Sequence, residues 1–305
     1  MANRKPGPPS DAGMQAIPLS DTIAAEIRGV DLSRPMSDAA FAKIYAAWLE
    51  HLVLVFRGQT LSDLDLVTFS RRFGVLDVPP ISGHGDAFVP DQPEVFVISN
   101  VIENGRPIGS LGDGECLWHT DMAYQEVPPK ASCLYSLEVP DGEGDTGFLN
   151  MYAAYDTLPA PLQSRIEGLT IKHDSQYTLD GLPRDEGGET LAEAKARGVF
   201  DVRALSGTSH PIVRTHPETG RKALYVGRRQ NTYINGLSVE DSEDLLDALW
   251  DHVETLGRAT WHQRWRPGEL VIWDNRCVMH RRDEFPPTTR RVMHRTQIRG
   301  ETRPV

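Results

Sequence analysis

From Asp38 onward the apolar residues Phe41, Ile44, Tyr45, Trp48 and Leu49 fall at i, i+3, i+4, i+7 and i+8, the spacing of one helix face. The next five residues after His51, at 52–56, are all apolar and read as a buried strand. A second helix is predicted from Ser62 as its N-cap to Gly74 after Phe73. A third starts at Ser238, carries Leu245, Leu246, Leu249, Trp250, Val253 and Leu256 as its apolar stripe, and stops at Gly257. Short β-like runs at 95–98, 132–137, 212–214, 223–226 and 270–273 are separated by Gly, Pro, Asn or Asp turns. Short strands at uneven spacing, without β-α alternation, predict a mostly β fold with flanking helices and an antiparallel barrel or jelly-roll core.

The chain has 305 residues, which suits one large domain or two small ones. Residues 1–13 are rich in Pro, Gly and small polar groups and are expected to be a flexible tail, leaving 14–305 as a single domain. Within it, 176–203 is polar and glycine-containing, with a short helix predicted around 192–196, and is the expected insertion or lid. Lys and Arg number 32 against 43 Asp and Glu, a net charge of −11, which disfavours a nucleic-acid backbone or an anionic membrane as partner. No apolar run approaches the ~20 residues that span a bilayer. The first residues lack the apolar segment of a secretory signal. Cys116, Cys133 and Cys277 show no C-x-x-C spacing and suit a reducing compartment. A cytoplasmic location is expected.

Candidate chemistry begins at Trp118-His119-Thr120-Asp121. On a strand, His119 and Asp121 would share a face and could reach one ion. Among the remaining histidines His280 is the preferred third ligand, because it follows a strand-and-turn pattern from Leu270 to Arg276. Two imidazoles and one carboxylate form the facial triad of non-haem Fe(II) oxygenases, with three positions left open. H-x-D alone is common, so its company matters. Arg290, Arg291, His294 and Arg295 follow the distal histidine, and a strand over 289–297 would place Arg291 and Arg295 on one face, with Met293 and Gln297 likewise sharing a face. Such arginines could hold the far carboxylate of a dicarboxylic cosubstrate.

Together WHTD, Gly144-Asp145-Thr146, HPIVRTHPETGRKALYV from His210, WDNRCVMH ending at His280, and RRVMHR from Arg290 resemble the taurine dioxygenase/2,4-D dioxygenase (TauD/TfdA) family. These enzymes depend on Fe(II) and 2-oxoglutarate, and the resemblance runs from about residue 18 to 300. It implies a jelly-roll (double-stranded β-helix) core, Fe(II) as metal, 2-oxoglutarate and O2 as cosubstrates, and a homo-oligomer, dimer or tetramer. It also implies that His119, Asp121 and His280 are the metal ligands. Thr146 and Arg291 match the contacts to the far carboxylate of 2-oxoglutarate. Arg295 matches the arginine that meets an anionic substrate near the cosubstrate. His210, Arg214 and His216 fall in a structural hairpin.

The taurine pattern is broken where Pro79 and Ser82 replace its substrate-binding histidine and tyrosine and Glu115 replaces an amide side chain. His84 could supply a substitute imidazole, and Glu115 or Ser82 a polar substrate contact. The expected substrate is therefore a small organic acid of aryloxyalkanoate, alkyl sulfate or sulfonate type, with a more apolar wall than taurine needs. Two alternatives stand beside it: a metal-binding jelly roll without turnover, and a zinc-type hydrolase or isomerase. Halogenation is disfavoured by the presence of Asp121.

Overall fold

A computed structural model of the protein describes residues 13–79, 87–111, 116–178, 180–185, 187–198 and 200–305. The predicted tail lies, apart from Gly13, outside the described residues, as do Ser82, His84 and Glu115. Strand Val53–Phe56 is buried on both faces and sits inside a seven-stranded sheet. In spatial order this long sheet runs Gln15–Pro18, Ala25–Arg28, Val53–Phe56, Leu270–Asp274, Ala131–Glu138, Val292–Ile298 and Phe96–Ser99. The expectation of antiparallel pairing is corrected at one place: Ala25–Arg28 runs parallel to Val53–Phe56, because helix Asp38–His51 carries the chain back between them.

Alternation along each strand divides the core in two. Leu54, Phe56, Cys133, Tyr135, Leu270 and Ile272 point to helices Asp38–His51 and Asp63–Ser70. Val53, Val55, Leu134, Val271, Trp273 and Met293 point the other way, toward Phe148, Leu149 and Val278 of a short sheet. That sheet is antiparallel, in the order Thr260–Gln263, Thr146–Asn150, Val278–Arg282. The helices begin where the sequence puts them: Ser37 caps the first, and Ser62 with Asp65 forms a capping box on the second. The helix over Val239–Glu254 is capped by Ser238 but ends before Leu256, which packs on the core from the following turn. In the polar stretch 176–203, Thr190 and Glu193 form a capping box that starts the helix Leu191–Ala196. No helix among the described residues is long and apolar enough to cross a membrane.

Candidate active site

The space between the two sheets is where the polar side chains converge. In strand Val292–Ile298, His294 and Thr296 face the helices, where they bond Asp63 and Ser70. Met293, Arg295 and Gln297 therefore face the short sheet, as the strand period demands. Arg291 precedes the strand, is 2% exposed, and reaches the same inter-sheet space.

His280 lies on Val278–Arg282, opposite Phe148. His119 pairs with it through a single antiparallel bridge, His119 N–H donating to the His280 carbonyl at 3.0 Å and the reverse at 2.9 Å. The strand expected across WHTD is thus one bridge long, and Asp121 sits in the turn that follows. The physical reason is Asn275. Its amide accepts from Asp121 N–H at 2.9 Å and donates to the carbonyls of Asp121 and Pro129 at 3.0 Å each, so a side chain satisfies backbone that a strand partner would otherwise pair. Ser132 Oγ donates to Asp121 Oδ2 at 3.0 Å and orients the carboxylate.

The result is a compact donor set. Asp121 Oδ1 lies 3.9 Å from His119 Nε2 and 3.8 Å from His280 Nε2, and one donor atom from each residue lies within 4.8 Å of the other two. His119 Nδ1 is bonded to the Leu117 carbonyl at 2.7 Å, which fixes the ring and presents Nε2 to the site. Burial alone would raise the Asp121 carboxyl, but the Arg295 guanidinium and the two imidazoles outweigh it and hold it down at about 2. Burial pushes His280 down to about 3, aided by His119 and Arg295 and opposed by Asp121. At neutral pH the site therefore offers a carboxylate and a neutral imidazole, the protonation states a divalent cation requires.

Two cavities meet here. An inner one is lined by Thr146, Trp273, His280, Arg282, Arg291 and Arg295. An outer one of about 520 Å³ is lined by Val78, Pro79, Phe96, Met122, Tyr124 and Gln297, and again by Arg295. Arg295 is thus shared, its Nη1 3.6 Å from Asp121 Oδ1 and its guanidinium carbon 5.2 Å from the Phe96 ring centre. Thr146 follows Gly144, whose φ of +67° makes the left-handed turn and whose missing Cβ leaves room for Phe285. The Thr146 hydroxyl accepts from Trp265 Nε1 at 2.9 Å.

The chain matches the model of the family described as taurine catabolism dioxygenase TauD, TfdA family, over residues 15–297. It belongs to that family. A (S)-phenoxypropionate/alpha-ketoglutarate-dioxygenase from Sphingobium herbicidovorans is 34% identical over 296 residues, covering 93% of this chain and 94% of the relative. An alpha-ketoglutarate-dependent sulfate ester dioxygenase from Pseudomonas putida is 35% identical over 285 residues, covering 93% and 89%. A solved taurine dioxygenase from Burkholderia xenovorans superposes with a TM-score of 0.74 at 32% identity, covering 97% of this chain and 93% of that one.

Within this TauD/TfdA member, other histidines are engaged elsewhere. His216 Nε2 bonds Asp274 at 3.0 Å, a carboxylate already held by Arg276 at 2.7 and 2.8 Å. His216, Asp274 and buried Cys277 form a second compact cluster. Burial pushes the Cys277 thiol well above its usual range, and the carboxylate is committed to Arg276, so this group reads as a structural lock. His210 bonds the Gln125 carbonyl at 2.9 Å, and Arg214 lies over the Tyr225 ring at 5.3 Å. Sequence reasoning gave no role to Asn275, Ser132, Trp265 or Gln297. Strand parity shared with Arg295 was the available signal for Gln297.

Proposed function

We propose that His119, Asp121 and His280 hold Fe(II), and that Thr146 and Arg291 hold the far carboxylate of 2-oxoglutarate in the inner cavity. Two imidazoles and a carboxylate on one side of an ion fit Fe(II) and leave positions for a chelating 2-oxo acid and for dioxygen. Bound iron would supply oxygen activation coupled to decarboxylation of 2-oxoglutarate, yielding succinate and CO2 and oxidising one substrate C–H bond. Membership of the TauD/TfdA family makes the chain a 2-oxoglutarate-dependent dioxygenase, an oxidoreductase. In this reading the long and short sheets are the walls of a jelly roll, in one domain over 14–305.

The organic substrate is assigned to the outer cavity, as a small aryloxyalkanoate, alkyl sulfate or sulfonate. Its anionic group would meet Arg295, and its aryl or alkyl part would lie against Val78, Pro79 and Phe96. Named activities of the relatives on phenoxypropionate and sulfate esters agree with that chemistry. Both carboxylates of this cavity have arginine partners of their own, Asp77 with Arg299 at 2.7 Å and Glu94 with Arg71. Asp121, at 3.6 Å, is thus the carboxylate beside Arg295, and a substrate anion would share the guanidinium with it. The protein's work is to hold one C–H bond near the metal and exclude others. The single observation that carries the assignment is that Arg295 lines both the outer cavity and the inner one that holds His280, and lies 3.6 Å from Asp121. A screen of aryloxyalkanoates, alkyl sulfates and sulfonates for substrate-stimulated succinate formation tests it. Stimulation confined to uncharged compounds would remove the anionic assignment.

A further inference from the structure

One wall of the outer cavity is braced from outside the two sheets. Arg228 is buried at 7% exposure, pairs with the Asp174 carboxylate at 3.3 Å, and donates to the carbonyls of Asp174 and Tyr177 at 2.8 and 3.0 Å. Asp174 also accepts from Gln176 N–H at 2.7 Å and Asn231 Nδ2 at 2.8 Å. This anchors a narrow turn-back: Thr178 N–H donates to the Leu182 carbonyl, Tyr177 bridges Pro183, and Arg184 N–H donates to the Gln176 carbonyl, both bonds at 2.8 Å.

The returning arm delivers Arg184 to Tyr124. Its guanidinium carbon lies 4.0 Å from the centre of the Tyr124 ring, and Nη1 lies 3.3 Å from the phenol oxygen. No carboxylate among the described residues lies within ion-pair distance of Arg184. Tyr124 is three positions beyond Asp121 and is itself a wall of the outer cavity. An aromatic wall residue turns on two torsions, and a stacked guanidinium restricts both. Displacing the ring would give up this contact.

We propose that Arg184 is a specificity-determining positioning residue, which fixes Tyr124 and so limits the breadth of the aryl or alkyl group admitted beside the three donors. The inference rests on the functional reading above. The test compares the wild-type enzyme with Arg184→Ala, Arg184→Lys, Tyr124→Ala and the Ala double variant. Substrates are phenoxyacetate against 2-naphthyloxyacetate, with hexyl against 2-ethylhexyl sulfate as a second pair.

Arg184→Ala should raise the bulky-to-small ratio of kcat/KM at least fivefold, chiefly through KM for the organic acid, with KM for 2-oxoglutarate within twofold. Arg184→Lys should fall between, because an ammonium has no flat face to stack. In the Tyr124→Ala background the Arg184 substitution should add nothing. A ratio within twofold of wild type for Arg184→Ala, or an Arg184 effect that persists without Tyr124, overturns the proposal. Wild-type enzyme that makes succinate with none of the four compounds would sink the functional reading and this inference together; normal turnover with an unchanged ratio removes the inference alone.

Discussion

Arg291 offers the sharpest quantitative handle on the inner cavity. The side chain is 2% exposed and lines the same cavity as Thr146 and His280, so a carboxylate meeting it there is shielded from water. Truncating one partner of a desolvated charge pair costs on the order of 2–5 kcal/mol. At about 1.4 kcal/mol per tenfold, Arg291→Ala should weaken 2-oxoglutarate binding by roughly 30-fold to several thousandfold. Arg291→Lys should recover part of the loss, since the charge returns without the planar fork. The assay is calorimetric titration of 2-oxoglutarate into Mn(II)-loaded protein under argon, with metal affinity measured separately as the control. An Arg291→Ala dissociation constant within threefold of wild type, with metal affinity intact, would refute the placement of the cosubstrate carboxylate.

Arg295→Gln should raise KM for the organic acid at least tenfold while moving KM for 2-oxoglutarate less; paired saturation curves decide, and movement of the 2-oxoglutarate curve alone would assign Arg295 to the cosubstrate. Asn275→Ala removes three buried hydrogen bonds around Asp121, which at ~1 kcal/mol each predicts about 3 kcal/mol of lost stability in denaturant titration and a weaker metal site. Burial, with His210 and Arg228 acting in the same direction, pushes His173 down to about 3. An unfolded histidine titrates near ~6.5, so below that pH the unfolded chain takes up a proton that the fold refuses, and stability falls as pH drops toward 3. At pH 5 the His173 share is about 2 kcal/mol, and His173→Leu should flatten the stability–pH slope of the apoprotein between about pH 6.5 and 5; an unchanged slope would show that His173 is not the group responsible.

Local signals were legible wherever one segment decides its own state. Ser62 and Ser238 were readable as helix starts because their side chains accept from the first turn, a rule that needs no tertiary knowledge, and the structure adds Ser37 as the cap of the helix read from Asp38. Strand parity put Arg291 with Arg295 on one face and Met293 with Gln297 likewise, and in the fold Arg291 and Arg295 line one cavity despite a register shift between Val292 and Met293. That His119, Asp121 and His280 come together was legible through their residue types and the company of the other motifs. What could not be read was non-local. The conformation at Asp121 is set by Asn275, 154 positions away, so the H-x-D spacing suggested a strand where the chain makes a turn. The contact from Arg184 to Tyr124 spans 60 positions and depends on a turn-back anchored by Arg228.

The most direct measurement is the cosubstrate and metal requirement of a single turnover. Purified protein freed of metal is reloaded with Fe(II) or Zn(II), given 2-oxoglutarate and an aryloxyalkanoate or alkyl sulfate, and succinate and oxidised product are counted with and without oxygen. The account predicts one succinate per product with Fe(II) and oxygen, and none after His119→Ala, Asp121→Ala or His280→Ala substitution in a protein that stays folded. Equal product from the Zn(II) form under argon, or wild-type turnover in any of the three variants, would contradict it.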